Sequence, residues 1–276
     1  MCPPTYFDVT YAINPWMDPS IPVDTTRAMA QWSTLVRAYR SAGHRVDLLE
    51  PVPGLPDMVF AANGATVVDG RVLSARFASR QRRAEATHHR QWHLRRGLHS
   101  EQVLLGGRAV NEAEGDFAVL SKTILAGCGF RTTRAAHREL AALTGRPVVS
   151  LELVNQRFYH LDVALTVLDD ITDHIAYYPA AFSEGSRRVL AERFPDALIA
   201  DDRDAAVLGL NCVSDGRQVF VPAGAEHLTH LLDEAGYQPI AIDLSELLKG
   251  GGSVKCCTQE IRPVTDRRRF VDRETR

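Results

Sequence analysis

Apolar residues recur at about 3.6-residue intervals in five stretches of this chain. The pattern predicts helices near Asp24–Ser41, Ser79–Arg96, Thr133–Leu143, Ser183–Phe194 and Ala225–Ala235. Local chemistry agrees: Asp24 and Ser183 are suited to accept from the free amides of a first turn, and Gly43, Gly97, Gly145 and Gly236 stand where helices should stop. A short β-rich run follows each helix, at Arg45–Leu49, Gln102–Leu105, Pro147–Leu153, Ala197–Ala200 and Pro239–Leu244. A small polar motif follows each run, and in four of the five units a hairpin-like segment comes next. The clearest hairpin is Ala65–Leu73, with Asp69-Gly70 as a two-residue turn that Asp215-Gly216 repeats later.

One polar residue from each motif, Asn63, Glu112, His160, Asn211 and Cys256, gives separations of 49, 48, 51 and 45 residues. Near-equal units with one element order suggest radial repetition, in which equivalent loops converge on an axis and distant residues share one site. A doubly wound α/β sheet with incidental polar loops is the alternative.

The chain has 276 residues, 45% hydrophobic and 24% charged, enough for a large core, and a formal net charge of −2 gives no field for nucleic acid or an anionic membrane. The basic runs His88–Arg96 and Arg267–Arg269 lack interleaved aromatics and read as solvated faces. No apolar stretch approaches the roughly 20 residues that span a bilayer, and Met1-Cys2-Pro3-Pro4 opens no signal-peptide core. Five cysteines without a Cys-x-x-Cys spacing argue against a disulfide framework and a zinc site, so a cytoplasmic protein is expected.

The strongest local signal is Gly250-Gly251-Gly252-Ser253-Val254-Lys255-Cys256-Cys257, where a glycine run delivers a thiol. Cys256 is the candidate nucleophile, since sulfur reacts as thiolate near neutrality; Cys257, Cys2, Cys128 and Cys212 are expected to be structural. In Phe158-Tyr159-His160-Leu161-Asp162, strand alternation would put His160 and Asp162 on one face, able to shuttle a proton and to hold a cation. A strand-edge histidine in ordinary hydrogen bonds is the plain alternative. The remaining histidines, among them His89, His93 and His137, fall mostly on expected helix surfaces and form no convincing metal set. Asn111-Glu112-Ala113-Glu114-Gly115-Asp116 and Pro56-Asp57-Met58-Val59-Phe60-Ala61-Ala62-Asn63 place acids and an amide beside apolar runs. There they would ligate a cation inside a pocket, or else be ordinary turns.

From Tyr11-Ala12-Ile13-Asn14-Pro15-Trp16-Met17 to Glu260 the sequence resembles the guanidino-modifying superfamily of dimethylarginine dimethylaminohydrolases, arginine deiminases, arginine dihydrolases and amidinotransferases. The resemblance implies one domain over residues 1–276, a five-bladed α/β propeller (pentein) of ββαβ-type repeats with pseudo-five-fold symmetry. It makes Cys256 the nucleophile, His160 the general acid/base and Glu112 the acid that binds guanidinium. Glu114 competes for that last role, because position 113 is Ala where many members have a Glu-Gly-Gly-Asp loop. Asp57, Asp162, Asp116 and Asn211 join the substrate site, and Arg82 and Arg131 match positions that hold the substrate α-carboxylate. Asn63 departs from the Asp of deiminases and the better-known dimethylargininases, and similar dihydrolases carry Asn here and hydrolyse the guanidino carbon twice. The implied activity is hydrolysis of arginine or a methylated arginine through a covalent thiouronium. No metal or organic cofactor is expected, the partner is a small molecule, and association of identical copies stays open. Amidinotransfer and an inactive arginine-binding module are the rival functions.

Overall fold

A computed structural model describes residues 1–98 and 109–262 of the chain. Asp24 accepts from the amide of Arg27 at 2.9 Å and starts α1, Thr25–Ser41, whose buried stripe of Ala28, Trp32, Leu35, Val36 and Tyr39 follows the helical period. After it, β1 (Ala65–Val68) and β2 (Arg71–Ser74) pair antiparallel across the Asp69-Gly70 turn, and α2 (Glu85–Arg95) follows.

Three sheets then share one plan, an antiparallel pair followed by a helix and a parallel third strand. In the first, β3 (Phe117–Val119) and β4 (Ile124–Cys128) precede α3 (Arg134–Thr144) and β5 (Val148–Glu152). In the second, β6 (Leu165–Asp169) and β7 (His174–Tyr177) precede α4 (Glu184–Arg193) and β8 (Leu198–Ile199). A short helix, α5 (Asp202–Ala206), leads to the third, in which β9 (Val213–Ser214) and β10 (Gln218–Pro222) precede α6 (Glu226–Glu234) and β11 (Gln238–Ile242). A parallel strand after a helix is what a crossover permits and a hairpin does not. The final helix, α7 (Ser245–Leu248), packs with α1, and a parallel bridge between Val67 and Ile261 ties the end of the described chain to β1.

The architecture is therefore α/β, built from small mixed sheets. The helices expected from periodicity are present, with Ser183 accepting from Ser186 and Gly145 closing α3 in the left-handed region at φ 69°. Four expected hairpins correspond to the four antiparallel pairs. Arg45–Leu49 forms no strand: its backbone bonds go to the chain start, Leu49 N–H to the Met1 carbonyl and the Met1 ammonium to the Asp47 carbonyl, which leaves no ladder. Gln102–Leu105 and Arg267–Arg269 lie outside the described residues. The stretch expected as Ser79–Arg96 begins with a separate 3-10 turn, Arg80–Arg82, and becomes α-helical only from Glu85.

Each unit buries apolar side chains between its sheet and a helix. Leu140 of α3 is fully buried among Val68, Leu73, Phe117, Val119, Ile124 and Leu143. Leu140→Ala should lower the unfolding free energy by about 2–5 kcal/mol in urea denaturation, lost transfer energy and the residual cavity adding together; a loss below about 1 kcal/mol would contradict this packing.

Candidate active site

Five loops meet at one place, and most are tight 3-10 turns rather than strands. Pro56–Val59 and Ala61–Asn63 present Asp57 and Asn63, Ala113–Gly115 lies between Glu112 and Asp116, and Leu161–Val163 follows His160. His160 and Asp162 thus share the site across one 3-10 turn and not by strand alternation, since β6 begins only at Leu165. Two apolar residues beside the site have positive φ, Ala113 at 53° and Leu208 at 55°. Such backbone is unfavourable for a residue with a Cβ and persists where surrounding contacts impose it. Ala113 is held by its own amide donating to Asn111 Oδ1 at 2.8 Å.

The links between loops are short. Asn63 Nδ2 donates to the Glu112 carbonyl at 3.3 Å, and His160 Nε2 lies 2.8 Å from Glu112 Oε2. Gly115 must lack a side chain, because a Cβ there would sit 2.2 Å from Asn63 Nδ2 and 3.1 Å from His160 Nδ1. Glu112 Oε1 also accepts from the Ala78 amide, and Arg131 Nη1 donates to Oε2 at 2.9 Å. Burial pushes the Glu112 carboxyl up, but the hydrogen bond and charge of His160, then Arg131 and Arg82, outweigh it and hold this acid well below its ordinary range.

On the other side of His160, the Cys256 thiol donates to Asp162 Oδ2 at 3.2 Å, and Asn211 Nδ2 donates to Cys256 Sγ at 3.2 Å. The glycine run lets this loop pass close to the core: a Cβ on Gly252 would meet Phe60 at 2.4 Å. Burial first, then the Asp162 carboxylate, raises the Cys256 thiol well above its ordinary value, and burial likewise pushes Asp162 up to about 6. The charge of Lys255 opposes the rise of Asp162 but is outweighed. Its ammonium is held by Glu114 and Glu260, each at 2.6 Å.

Three polar atoms at the site are buried without a hydrogen-bond partner: Asp57 Oδ1, Asp162 Oδ1 and His160 Nδ1. Each such atom costs about 1–3 kcal/mol, so their concentration in one place calls for a functional explanation. Two such acceptors and an imidazole nitrogen leave this site able to take N–H donors from a bound molecule. The N-terminal stretch covers it: Tyr11 donates to Asp57 Oδ2 at 2.8 Å, Arg131 Nη2 to the Ile13 carbonyl at 2.6 Å, Asn14 to the Gly250 carbonyl at 3.1 Å, and Trp16 Nε1 to the Arg157 carbonyl at 2.8 Å. Tyr11–Met17 carries no composition signal for this role, and Tyr159, whose ring lies 4.8 Å beneath the Arg131 guanidinium, was equally silent in the sequence.

Several expected site residues have other tasks. Glu114 faces away from His160, in a cage with Lys255, Arg262 Nη1 at 2.8 Å and the Glu260 amide at 3.1 Å, so the geometry selects Glu112 over Glu114 as the acid beside the histidine. Asp116 accepts from the amides of Thr132 and Leu161 and clips loops together. Arg82 lies beneath the site: it is paired with Glu85 at 2.8 Å, donates to Asn63 Oδ1 at 2.8 Å and reaches the Asp57 carbonyl, which turns it from a free α-carboxylate contact into a support. Arg131 stays at the rim, bonded to Glu112. Asn211 bonds the cysteine loop on all its side-chain atoms and does not face outward. His89, His93 and His137 are buried, not surface residues; the backbone bonds of His93 and His137 and the close packing of His89 against Gly64 account for them. Among the described residues one set, Asp201, Asp204 and His227, lies close enough to ligate a metal. The Asp204 oxygens already accept from the Asp201 and Leu228 amides and meet His227 Nδ1, an arrangement that helix capping explains.

A family model described as N,N dimethylarginine dimethylhydrolase, eukaryotic, matches residues 10–178. The chain is 51% identical over 263 residues to N(G),N(G)-dimethylarginine dimethylaminohydrolase of Mycobacterium tuberculosis, covering 95% of this chain and 85% of that protein. It is 34% identical over 270 residues to the bifunctional arginine dihydrolase/ornithine cyclodeaminase ArgZ of Synechocystis, covering 95% of this chain but 37% of that longer protein. The crystal structure of the N-terminal domain of ArgZ bound to substrate superposes with a TM-score of 0.90 at 33% identity, covering 96% of this chain and 98% of that one. Other structures of the same domain hold a covalently bound reaction intermediate and a product. The chain therefore belongs to the dimethylarginine dimethylaminohydrolase family of the pentein/amidinotransferase superfamily.

Proposed function

We propose that this protein is a cysteine hydrolase that cuts guanidino C–N bonds of arginine or an N-methylated arginine. The observation that carries the reading is the buried thiol of Cys256 between Asp162 and Asn211, with the partnerless oxygens of Asp57 and Asp162 and the His160–Glu112 pair in the same site. A guanidinium supplies the N–H donors those oxygens lack, and Arg131 is suited to the α-carboxylate, because arginine binds carboxylate bidentately.

With the cation seated, its charge neutralises Asp162 and lowers the thiol pKa; the Cys256 proton passes to His160 and Sγ attacks the guanidino carbon. The C–N bond breaks as His160 protonates the departing amine, leaving an S-alkylthiouronium, while Glu112 holds the imidazole. Water that gives a proton to His160 then displaces sulfur. One cycle releases citrulline with ammonia or a methylamine; a second cycle releases ornithine, ammonia and carbon dioxide. Asn63, held by Arg82 donating to its oxygen and by its own N–H to the Glu112 carbonyl, puts a neutral amide where a carboxylate would clamp a cation, which favours a neutral ureido group and supports the two-cycle outcome. Identity of 51% to the mycobacterial dimethylarginine dimethylaminohydrolase favours the second reading, release of dimethylamine and citrulline.

The same reading takes residues 1–276 as one five-bladed α/β propeller, for which the three repeated strand–strand–helix–strand units, the β1–β2 pair with α2 and the bridge from Ile261 to Val67 are the support. The five free, buried cysteines fit a reducing compartment, and we place the protein in the cytoplasm.

Incubation with arginine and, separately, with asymmetric dimethylarginine, assaying citrulline, ornithine, ammonia and dimethylamine, should give products from at least one substrate, and Cys256→Ser should remove them while calorimetric binding persists. Absence of nitrogenous product from both would overturn the hydrolase reading; ornithine formed without an amine acceptor would exclude amidinotransfer. A second expectation concerns pH. The Asp162 carboxyl is charged only above about 6, so kcat/KM should fall as pH drops through that value and the cation loses its partner. Asp162→Asn should lower kcat/KM overall and flatten that limb; an unchanged limb in the variant would assign it elsewhere.

A further inference from the structure

Asn211 is the fourth of the five regularly spaced polar residues, and its bonds point to a task other than holding substrate. It is fully buried, and both atoms of its amide are committed. Its Oδ1 accepts from the backbone amides of Ser253 at 3.1 Å and Cys256 at 3.0 Å. Two N–H donors can be answered only by oxygen, which fixes the amide orientation without ambiguity. Nδ2 must therefore face the remaining neighbours, and its two N–H groups reach the Asp162 carbonyl at 3.0 Å and Cys256 Sγ at 3.2 Å. The main chain takes part as well, the Asn211 carbonyl accepting from the Lys255 amide at 3.0 Å. One residue thus grips the cysteine loop at three backbone amides, those of Ser253, Lys255 and Cys256, and touches both the sulfur and the Asp162 backbone.

The turn that presents Asn211 is strained in a way the rest of the fold does not require. Leu208, fully buried, has φ 55°, and its carbonyl accepts the Asn211 amide at 2.9 Å. Leucine carries no local side-chain bond that would favour the left-handed region, so packing imposes the conformation. Asp69 and Asp173, the other non-glycine residues with positive φ away from the site among those described, sit in hairpin turns that tolerate it.

We propose that Asn211 sets the ionisation of the nucleophile: its Nδ2–H is a donor already aimed at Cys256 Sγ and stabilises the thiolate once the substrate cation has taken over Asp162. The inference rests on Cys256 being the nucleophile. In the free protein the thiol proton is shared with Asp162 at 3.2 Å, and the Asn211 donor meets the sulfur from another direction. When the proton leaves, the charged sulfur keeps one short donor in a dry environment, where a hydrogen bond to an ion is about twice as strong as one between neutral groups. A residue with this role acts on the thiolate and on the step that consumes it, and leaves substrate affinity nearly unchanged.

Asn211→Asp and Asn211→Leu test this together: the carboxylate keeps an oxygen for the Ser253 and Cys256 amides but adds charge beside the sulfur, whereas leucine removes the donor without charge, so the effect below must appear in both. Iodoacetamide labelling of Cys256, followed by mass spectrometry against pH with Cys256→Ser as the blank, should show its midpoint rising by at least about one unit. By charge-relation arithmetic that is a tenfold loss of thiolate at a given pH below the midpoint. The kcat should fall at least tenfold with KM within about twofold at a temperature well below each variant's melting transition. An unmoved labelling midpoint, or a loss of kcat that tracks a fall in melting temperature, would overturn the proposal in favour of a purely structural clip. Should either variant fail to fold, the wild-type protein answers: one side-chain amide pair in a 15N–1H correlation spectrum should shift with the Cys256 labelling midpoint and stay fixed in Cys256→Ser. No amide that behaves so would likewise overturn it. Activity retained by Cys256→Ser would instead remove the hydrolase reading itself, a failure distinct from either of these.

Discussion

Carboxyl groups gathered away from water around a thiol are the constraint on which the rest of this structure depends. Asp57, Glu85, Glu112, Asp116 and Asp162 are all at least nine-tenths buried, with Arg82, Arg131 and His160 as the basic groups among them. Burial alone drives every one of these acids toward its neutral form, and only Glu112, bonded to His160 and Arg131, is carried firmly the other way. Two oxygens remain without donors. Such a site suits a planar cation and disfavours an anion, and under the proposed function the same cation displaces the Cys256 proton from Asp162. Recognition and activation of the nucleophile are one electrostatic event.

Short turns make the arrangement rigid. Helices and sheets hold the loops apart at regular intervals, but the functional side chains sit on 3-10 turns where two residues of sequence separation can mean opposite directions. Glu112 and Glu114 illustrate it: Ala113 between them takes a positive φ, and the two carboxylates enter unrelated networks, one with His160 and one with Lys255, Glu260 and Arg262. The missing Cβ of Gly115 then allows Asn63 and His160 to close over the same turn.

Much of this was legible in the sequence, for identifiable reasons. Helical periodicity and capping residues act over a few positions, so α1, α3, α4 and α6 could be read with their ends. The even spacing of Asn63, Glu112, His160, Asn211 and Cys256 pointed to a shared site; Glu112 bonds Asn63 and His160, Asn211 bonds Cys256, and Asp162, two residues after His160, bonds both Asn211 and Cys256. What escaped was decided by tertiary contact. Arg82 looked like a carboxylate ligand until Glu85, three residues on, and Asn63 claimed its guanidinium. His89 and His93 looked like a basic helix face, yet that side of α2 packs inward, His89 against Gly64 and His93 against Gln259. The run around His160 alternates as a strand would, but its backbone closes a 3-10 turn before β6 begins. The cover formed by Tyr11–Met17 depends on bonds to residues more than 40 positions away, which no local pattern encodes.

The central claim is that the sulfur of Cys256 becomes bonded to the guanidino carbon, and intact-protein mass spectrometry after acid quench tests it most directly. During turnover of arginine the protein should gain the mass of arginine less ammonia, located on Cys256 by fragmentation, and asymmetric dimethylarginine, if it is turned over, should leave the identical adduct because the departing amine is the only difference. Steady product formation with an unmodified Cys256 at every quench time, and undiminished turnover after its replacement by serine, would contradict the account.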